Sequence, residues 1–119
     1  MKDLKLAESE YRFMKIVWEN QPLTSSQLVK LCADRLEWKK STTYTVLKRL
    51  AEKEIVENVN STIIPLVSRK DVQLYESNSV VDRSFGGNLP DFIAAFMEGK
   101  KLSKKDADRI RAMIEDYEE

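Results

Sequence analysis

Apolar positions in the first half of the chain recur at helical spacing in three successive segments. Phe13, Met14, Val17 and Trp18 share one face of a helix predicted to start at a Ser9 cap and to run to about residue 20. Gln21-Pro22-Leu23 breaks it. Thr24-Ser25-Ser26-Gln27 has the form of a capping box, which predicts a second helix carrying Leu28, Leu31, Cys32 and Leu36 on its inner face. A third helix is expected over 42–53, with Thr43, Val46, Leu47 and Leu50 turned inward at i, i+3, i+4 and i+7.

The periodicity then changes. Ile55, Val56, Val59, Ile63, Ile64, Leu66 and Val67 are mostly β-branched, and Asn58 with Asn60-Ser61 is turn-prone, so 55–67 reads as a two-stranded hairpin. Pro65 fits if its strand is an edge. Three short helices followed by a hairpin make a mainly α fold with a small β hairpin, the pattern of a winged helix-turn-helix.

From Ser68 the helical period returns. Ser68-Arg69-Lys70-Asp71 can cap a long helix ending at Gly86-Gly87. Two shorter helices follow. Pro90 opens one that displays Phe92, Ile93, Phe96 and Met97 and stops at Gly99; Ser103 caps another that displays Ile110, Met113, Ile114 and Tyr117. A tail of this size makes a meagre core alone. A second copy of the chain is the simplest cover for these stripes, so the expected organisation is a winged helix-turn-helix DNA-binding domain over 1–74 and a helical dimerisation domain over 75–119.

DNA binding enters through the third helix. A helix in a major groove offers short hydrogen-bonding groups to base edges and long cations to flanking phosphates. Ser41, Thr42, Tyr44 and Thr45 lie on its front and outer side, and Lys39, Lys40, Lys48, Arg49 and Lys53 surround them.

Composition modifies this picture in places. The chain has 119 residues, of which 42% are hydrophobic and 34% charged, as in a foldable globular protein rather than a disordered one. Its 20 basic and 20 acidic residues cancel, which does not by itself favour a nucleic-acid partner. A winged domain acting as a protein-protein adaptor without specific DNA binding is therefore the alternative reading. Salt dependence separates the two, because only a phosphate binder loses affinity steeply as salt rises.

No apolar run is long enough for a membrane span, and Met1-Lys2-Asp3-Leu4 lacks the apolar core of a secretory signal, so a cytoplasmic location without membrane insertion is expected. The sequence has no histidine and one cysteine, Cys32, which reads as a small buried hydrophobe. Neither a metal nor a cofactor is expected. With no glycine-rich phosphate loop and only scattered carboxylates, an enzyme is not expected either.

The order of motifs resembles the penicillinase-repressor family, which includes methicillin-resistance and copper-responsive repressors. The resemblance rests on Leu6-Ala7-Glu8-Ser9-Glu10-Tyr11 with Met14 and Val17-Trp18-Glu19, and on Trp38 followed by Thr42, Tyr44-Thr45, Leu47 and Arg49-Leu50. Pro65-Leu66-Val67-Ser68-Arg69, Phe85-Gly86-Gly87 and Leu102-Ser103 continue it over nearly the whole length. It implies a winged-helix amino-terminal domain, a carboxy-terminal helical dimerisation domain, and a homodimer that represses transcription from an inverted-repeat operator. Carried over by residue, it puts base recognition on Ser41, Thr42, Tyr44 and Thr45 and phosphate contact on Lys48 and Arg49.

Three departures qualify what the resemblance implies. The wing, 54–68, contains no Lys or Arg, so it is expected to add little electrostatic affinity. The copper-responsive branch ends in paired cysteines, whereas Glu115-Asp116-Tyr117-Glu118-Glu119 offers no thiol, so copper sensing by that chemistry is not expected. The antibiotic-responsive branch is inactivated by cleavage of an Asn-Phe bond in the dimerisation helix. The matching bond here is Ala95-Phe96, which keeps only the phenylalanine and makes a sensor or protease that relieves repression an expectation resting on alignment alone.

Overall fold

In the computed structural model, which describes residues 3–117, six helices and three short strands follow the order α1 Glu8–Glu19, β1 Leu23–Thr24, α2 Ser25–Leu36, α3 Lys40–Glu52, β2 Val56–Val59, β3 Thr62–Pro65, α4 Arg69–Phe85, α5 Leu89–Gly99 and α6 Lys104–Glu115. Met1, Lys2, Glu118 and Glu119, which enter the sequence readings of the two ends, lie outside the described residues. The mainly α fold with a small antiparallel sheet is that of a winged helix followed by further helices. The chain divides into two compact units, Met1–Ser77 and Asn78–Glu119, the division falling inside α4.

The first unit is built on one apolar cluster. Phe13, Met14 and Val17 from α1, Leu28 and Cys32 from α2, and Leu50 from α3 are wholly buried, joined by Ile55, Ile63 and Val72 from the sheet side and α4. Burial of such side chains contributes about 1.5–3 kcal/mol each, which is what holds three short helices together. The Phe13 and Trp38 rings stack at 6.3 Å, fixing the α2–α3 connection onto α1.

The helix starts obey backbone accounting. α1 begins at Glu8 with Ala7 as its cap, one residue before Glu8 and two before the expected Ser9. Ser9 lies inside the first turn, where its hydroxyl caps no amide among the described residues. The Ala7 N–H is instead satisfied by Glu10, whose Oε1 accepts from it at 2.8 Å. α2 has the full box: Thr24 Oγ1 accepts from the Gln27 N–H at 3.2 Å, and Gln27 Oε1 accepts from the Thr24 N–H at 2.8 Å. α2 ends on Glu37 in the left-handed region, φ 57°. α3 starts at Lys40, two residues earlier than its sequence pattern predicts, because Lys39 takes the extended cap conformation without a side-chain acceptor.

The sheet has the order β1-β3-β2. β2 and β3 form the expected hairpin, joined by Asn60-Ser61 with φ of 50° and 66°, the doubly left-handed turn that matches strand twist. Asn58 belongs to the strand, paired with Ile63. β1 is a third strand that the sequence reading lacks, and it makes β3 central rather than an edge. Pro65 is tolerated for a different reason from the one expected. β1 pairs only at Ile63 and Thr62, so β3 has no neighbour on that side at Pro65.

In α4, Ser68 Oγ accepts from the Asp71 N–H at 3.0 Å while Asp71 Oδ2 accepts from the Ser68 N–H at 3.1 Å, a reciprocal cap. Its exit uses Gly86 and Gly87 at φ 58° and 81°, where a side chain would be strained. In the second unit, Asn88 caps α5 and Ser103 caps α6 by accepting from the N–H three residues on, each at 3.0 Å. Tyr117 falls beyond the α6 cap, Asp116, and so is not on that helix. No helix among the described residues is long and apolar enough to cross a membrane.

Candidate nucleic-acid interface

The inner row of α3 fixes its outer one. Thr43, Val46, Leu47 and Leu50 are buried, so the intervening Ser41, Thr42, Tyr44, Thr45, Lys48 and Arg49 are turned to solvent, with Lys39 and Lys40 exposed at the entrance. The structure thus brings all eight sequence-predicted residues onto one exposed surface.

The electrostatics of that surface run against helix stability. A helix amino terminus carries partial positive charge, and acidic residues are the stabilising choice there. α3 has none in its first turn, and Lys39 and Lys40 stand at that end instead. Each such cation costs about 0.3–1 kcal/mol in the free protein, and an approaching anion reverses the sign of that cost.

Two side chains are arranged more narrowly than the sequence reveals. The Lys40 ammonium lies 6.0 Å from the Tyr44 ring centroid, at the limit of a cation–π contact. Thr45 Oγ1 donates to the Ser41 carbonyl at 2.9 Å. With its one proton committed, the Thr45 hydroxyl offers outward only lone pairs and a methyl, a match for a base amino group or a thymine methyl.

The cations at the far end of α3 are not all free. The Glu10 carboxylate of α1, nearly inaccessible at 4% side-chain exposure, stands 3.7 Å from Arg49 Nε and 3.4 Å from Lys53 Nζ. Lys53 also donates to the Lys5 carbonyl at 3.2 Å and is half-buried. Lys53, grouped with the basic surround by sequence, is thus a tether between segments rather than an open phosphate contact. Glu10 escaped the sequence reading because its partners lie about forty positions away. Its place three residues after a cap, ahead of an apolar run, signals only the capping half of its role.

The wing presents Glu57, Asn58, Asn60 and Ser61 to solvent. Its turn is not loose, since the Ser61 carbonyl accepts from the Ser25 N–H at the start of α2 at 2.8 Å.

Cys32 is buried, and desolvation pushes its thiol pKa up, opposed by a lesser hydrogen bond from Thr43. Among the described residues no group of three or more His, Cys, Asp or Glu is placed to hold a metal ion.

In the second unit no described residue is buried. Phe96, Met97, Met113 and Ile114 are 45%, 51%, 62% and 69% exposed, and Ile93 and Ile110 are open to a smaller degree. Phe92 is half-buried and meets Phe85 edge-on at 5.5 Å. Ala95 and Phe96 sit in the middle of α5, their backbone in regular helix.

A family model described as the penicillinase repressor matches residues 6–116. The chain is similar to a penicillinase repressor of Bacillus licheniformis, 20% identical over 117 residues that cover 95% of this chain and 91% of that one. It is likewise similar to a penicillinase repressor of Staphylococcus aureus, 21% identical over 119 residues covering 97% and 94%.

Proposed function

The chain belongs to the penicillinase repressor family, and from that premise we propose that it is a homodimer that represses transcription by binding a dyad-symmetric operator through α3. Membership makes it a transcriptional repressor and not an enzyme. The observation that carries the finer reading is the destabilising pair Lys39 and Lys40 at the start of a helix whose exposed row is Ser41, Thr42, Tyr44 and Thr45. A phosphate at that end satisfies the helix terminus and both cations together. The short hydroxyl-bearing row behind it is sized for base edges.

Dimerisation supplies what one module lacks. A single winged domain reads only a few base pairs, whereas a two-fold dimer reads two half-sites about 10 base pairs apart or a multiple of that. The uncovered Phe96, Met97, Met113 and Ile114 support α5 and α6 as the surface a second copy covers, since apolar area left in water forgoes about 25 cal/mol per Å². Blocking of polymerase access by the bound dimer then follows from occupancy. Relief by cleavage between Ala95 and Phe96 requires α5 to open locally, because both residues lie within the helix.

A second reading has one observation in its favour. The wing carries Glu54 and Glu57 with no Lys or Arg, and an acidic wing suits a protein-protein adaptor better than a phosphate grip. The test is selection of genomic DNA fragments by the purified protein at rising salt. Recovery of a short inverted repeat, with affinity falling steeply as salt increases, is the outcome expected of the repressor. Absence of any enriched sequence at low salt rejects operator binding in favour of the adaptor.

A further inference from the structure

Glu10 does more than cap α1. Its side chain is fixed at one end, where Oε1 accepts from the Ala7 N–H at 2.8 Å, and it is almost wholly shielded from water. Oε2 has no hydrogen-bond partner among the described residues. A buried carboxylate needs compensation. Here it comes from two cations one turn apart at the end of α3, Lys53 Nζ at 3.4 Å and Arg49 Nε at 3.7 Å.

The Arg49 distance is that of an ion pair rather than of a hydrogen bond, so the attraction holds the guanidinium near Glu10 without consuming its donors. About half of the Arg49 side chain stays exposed, and among the described residues its one ion pair runs through Nε. An arginine fixed on its Nε side with its fork open suits a phosphate oxygen, which accepts from two parallel N–H groups.

We propose that Glu10 is a positioning residue of the DNA-binding surface: it fixes the Arg49 guanidinium for a backbone phosphate and offsets part of its charge. This rests on the DNA-binding reading above. Holding Arg49 in place favours one register on the duplex, and offsetting its charge lowers affinity for DNA of any sequence. The first effect raises the ratio of operator to random binding and the second leaves that ratio unchanged, and neither needs contact between Glu10 and DNA.

Glu10→Gln keeps an oxygen to accept from Ala7 and removes the charge. The experiment is binding of a random-sequence duplex by the full chain across a salt series, for wild type, Glu10→Gln, Arg49→Ala and the double variant. Freeing up to one cation steepens the log affinity against log salt slope by as much as ~0.9, or about eightfold tighter binding at 0.1 M salt relative to 1 M. In the Arg49→Ala background the gain falls to less than half. A cap alone predicts neither change. Wild-type slope and affinity in Glu10→Gln, or a gain that persists in full without Arg49, overturns the proposal; no wild-type binding at low salt overturns the DNA reading and this inference with it.

If Glu10→Gln does not fold, the Arg49 Nε–H resonance of the wild-type protein answers the same question. Slower exchange with water than at exposed Arg83 is expected in the absence of DNA. Equal exchange refutes the positioning.

Discussion

The indole N–H of Trp18 donates to the carbonyl oxygen of Val67 at 3.0 Å, tying the last turn of α1 to the exit of the sheet across 49 positions. The Arg69 guanidinium lies 5.7 Å from the centre of the same ring and reaches Glu19 at 3.3 Å. Trp18→Phe keeps most of the ring and leaves the Val67 carbonyl without its donor, so a loss of about 1 kcal/mol is expected. Urea unfolding measures it, as a lower midpoint at unchanged slope. Arg69→Ala should cost less, since ion pairs this exposed contribute about 0.2–1 kcal/mol.

On the proposed reading, the outer row of α3 separates affinity from selectivity. Arg49→Ala is expected to weaken binding both to the operator and to a random duplex. Thr45→Ala or Tyr44→Ala should mainly reduce operator preference, by about 1–3 kcal/mol if a base contact is lost. Competition binding with the selected inverted repeat distinguishes these. Three variants with wild-type binding would remove α3 from the interface.

The proposed dimer surface is best tested where the single chain is not disturbed. Phe92 meets Phe85, so its replacement perturbs the unit itself, whereas Met113 and Ile114 are 62% and 69% exposed. A Met113→Asp, Ile114→Asp chain should keep its helicity and sediment as a monomer, because two charges placed in an apolar interface have no partners. A double variant that stays dimeric would move the interface elsewhere.

Cys32 gives a probe of opening. Burial raises its pKa, so at any given pH it is less ionised than an exposed cysteine. Labelling by a thiol reagent should be slow in the native chain and immediate in urea. Because burial penalises the thiolate only in the folded chain, stability is full below the unfolded thiol's pKa and falls as pH rises through the folded one. Rapid native labelling would contradict the burial.

Much of this fold is legible because local and long-range preferences agree. Thr24 with Gln27 and Ser68 with Asp71 satisfy nearby backbone groups, and the row Thr43, Val46, Leu47, Leu50 fills the core at the helical period. The exposed face of α3 followed from its inner face. What sequence patterns miss is set by distant partners. β1 spans only Leu23 and Thr24, too short for an alternation to show, and exists because Ile63 and Thr62 pair with it. Ser9 has the better intrinsic cap, yet Glu10 reaching back to Ala7 moves the start of α1. The link from Glu10 to Arg49 and Lys53 has no local signature, since it depends on how α1 packs across α3.

The bond from the Ser25 N–H to the Ser61 carbonyl has a consequence for how such a protein diversifies. Ser41, Thr42, Tyr44, Thr45 and Lys48 are exposed and can be exchanged singly, so on the proposed reading a new operator preference is open to stepwise change on α3. The wing tip is not modular in this way. Lengthening the turn at Asn60-Ser61 moves the acceptor away from the first amide of α2, which couples the wing tip to the foundation of the helix-turn-helix.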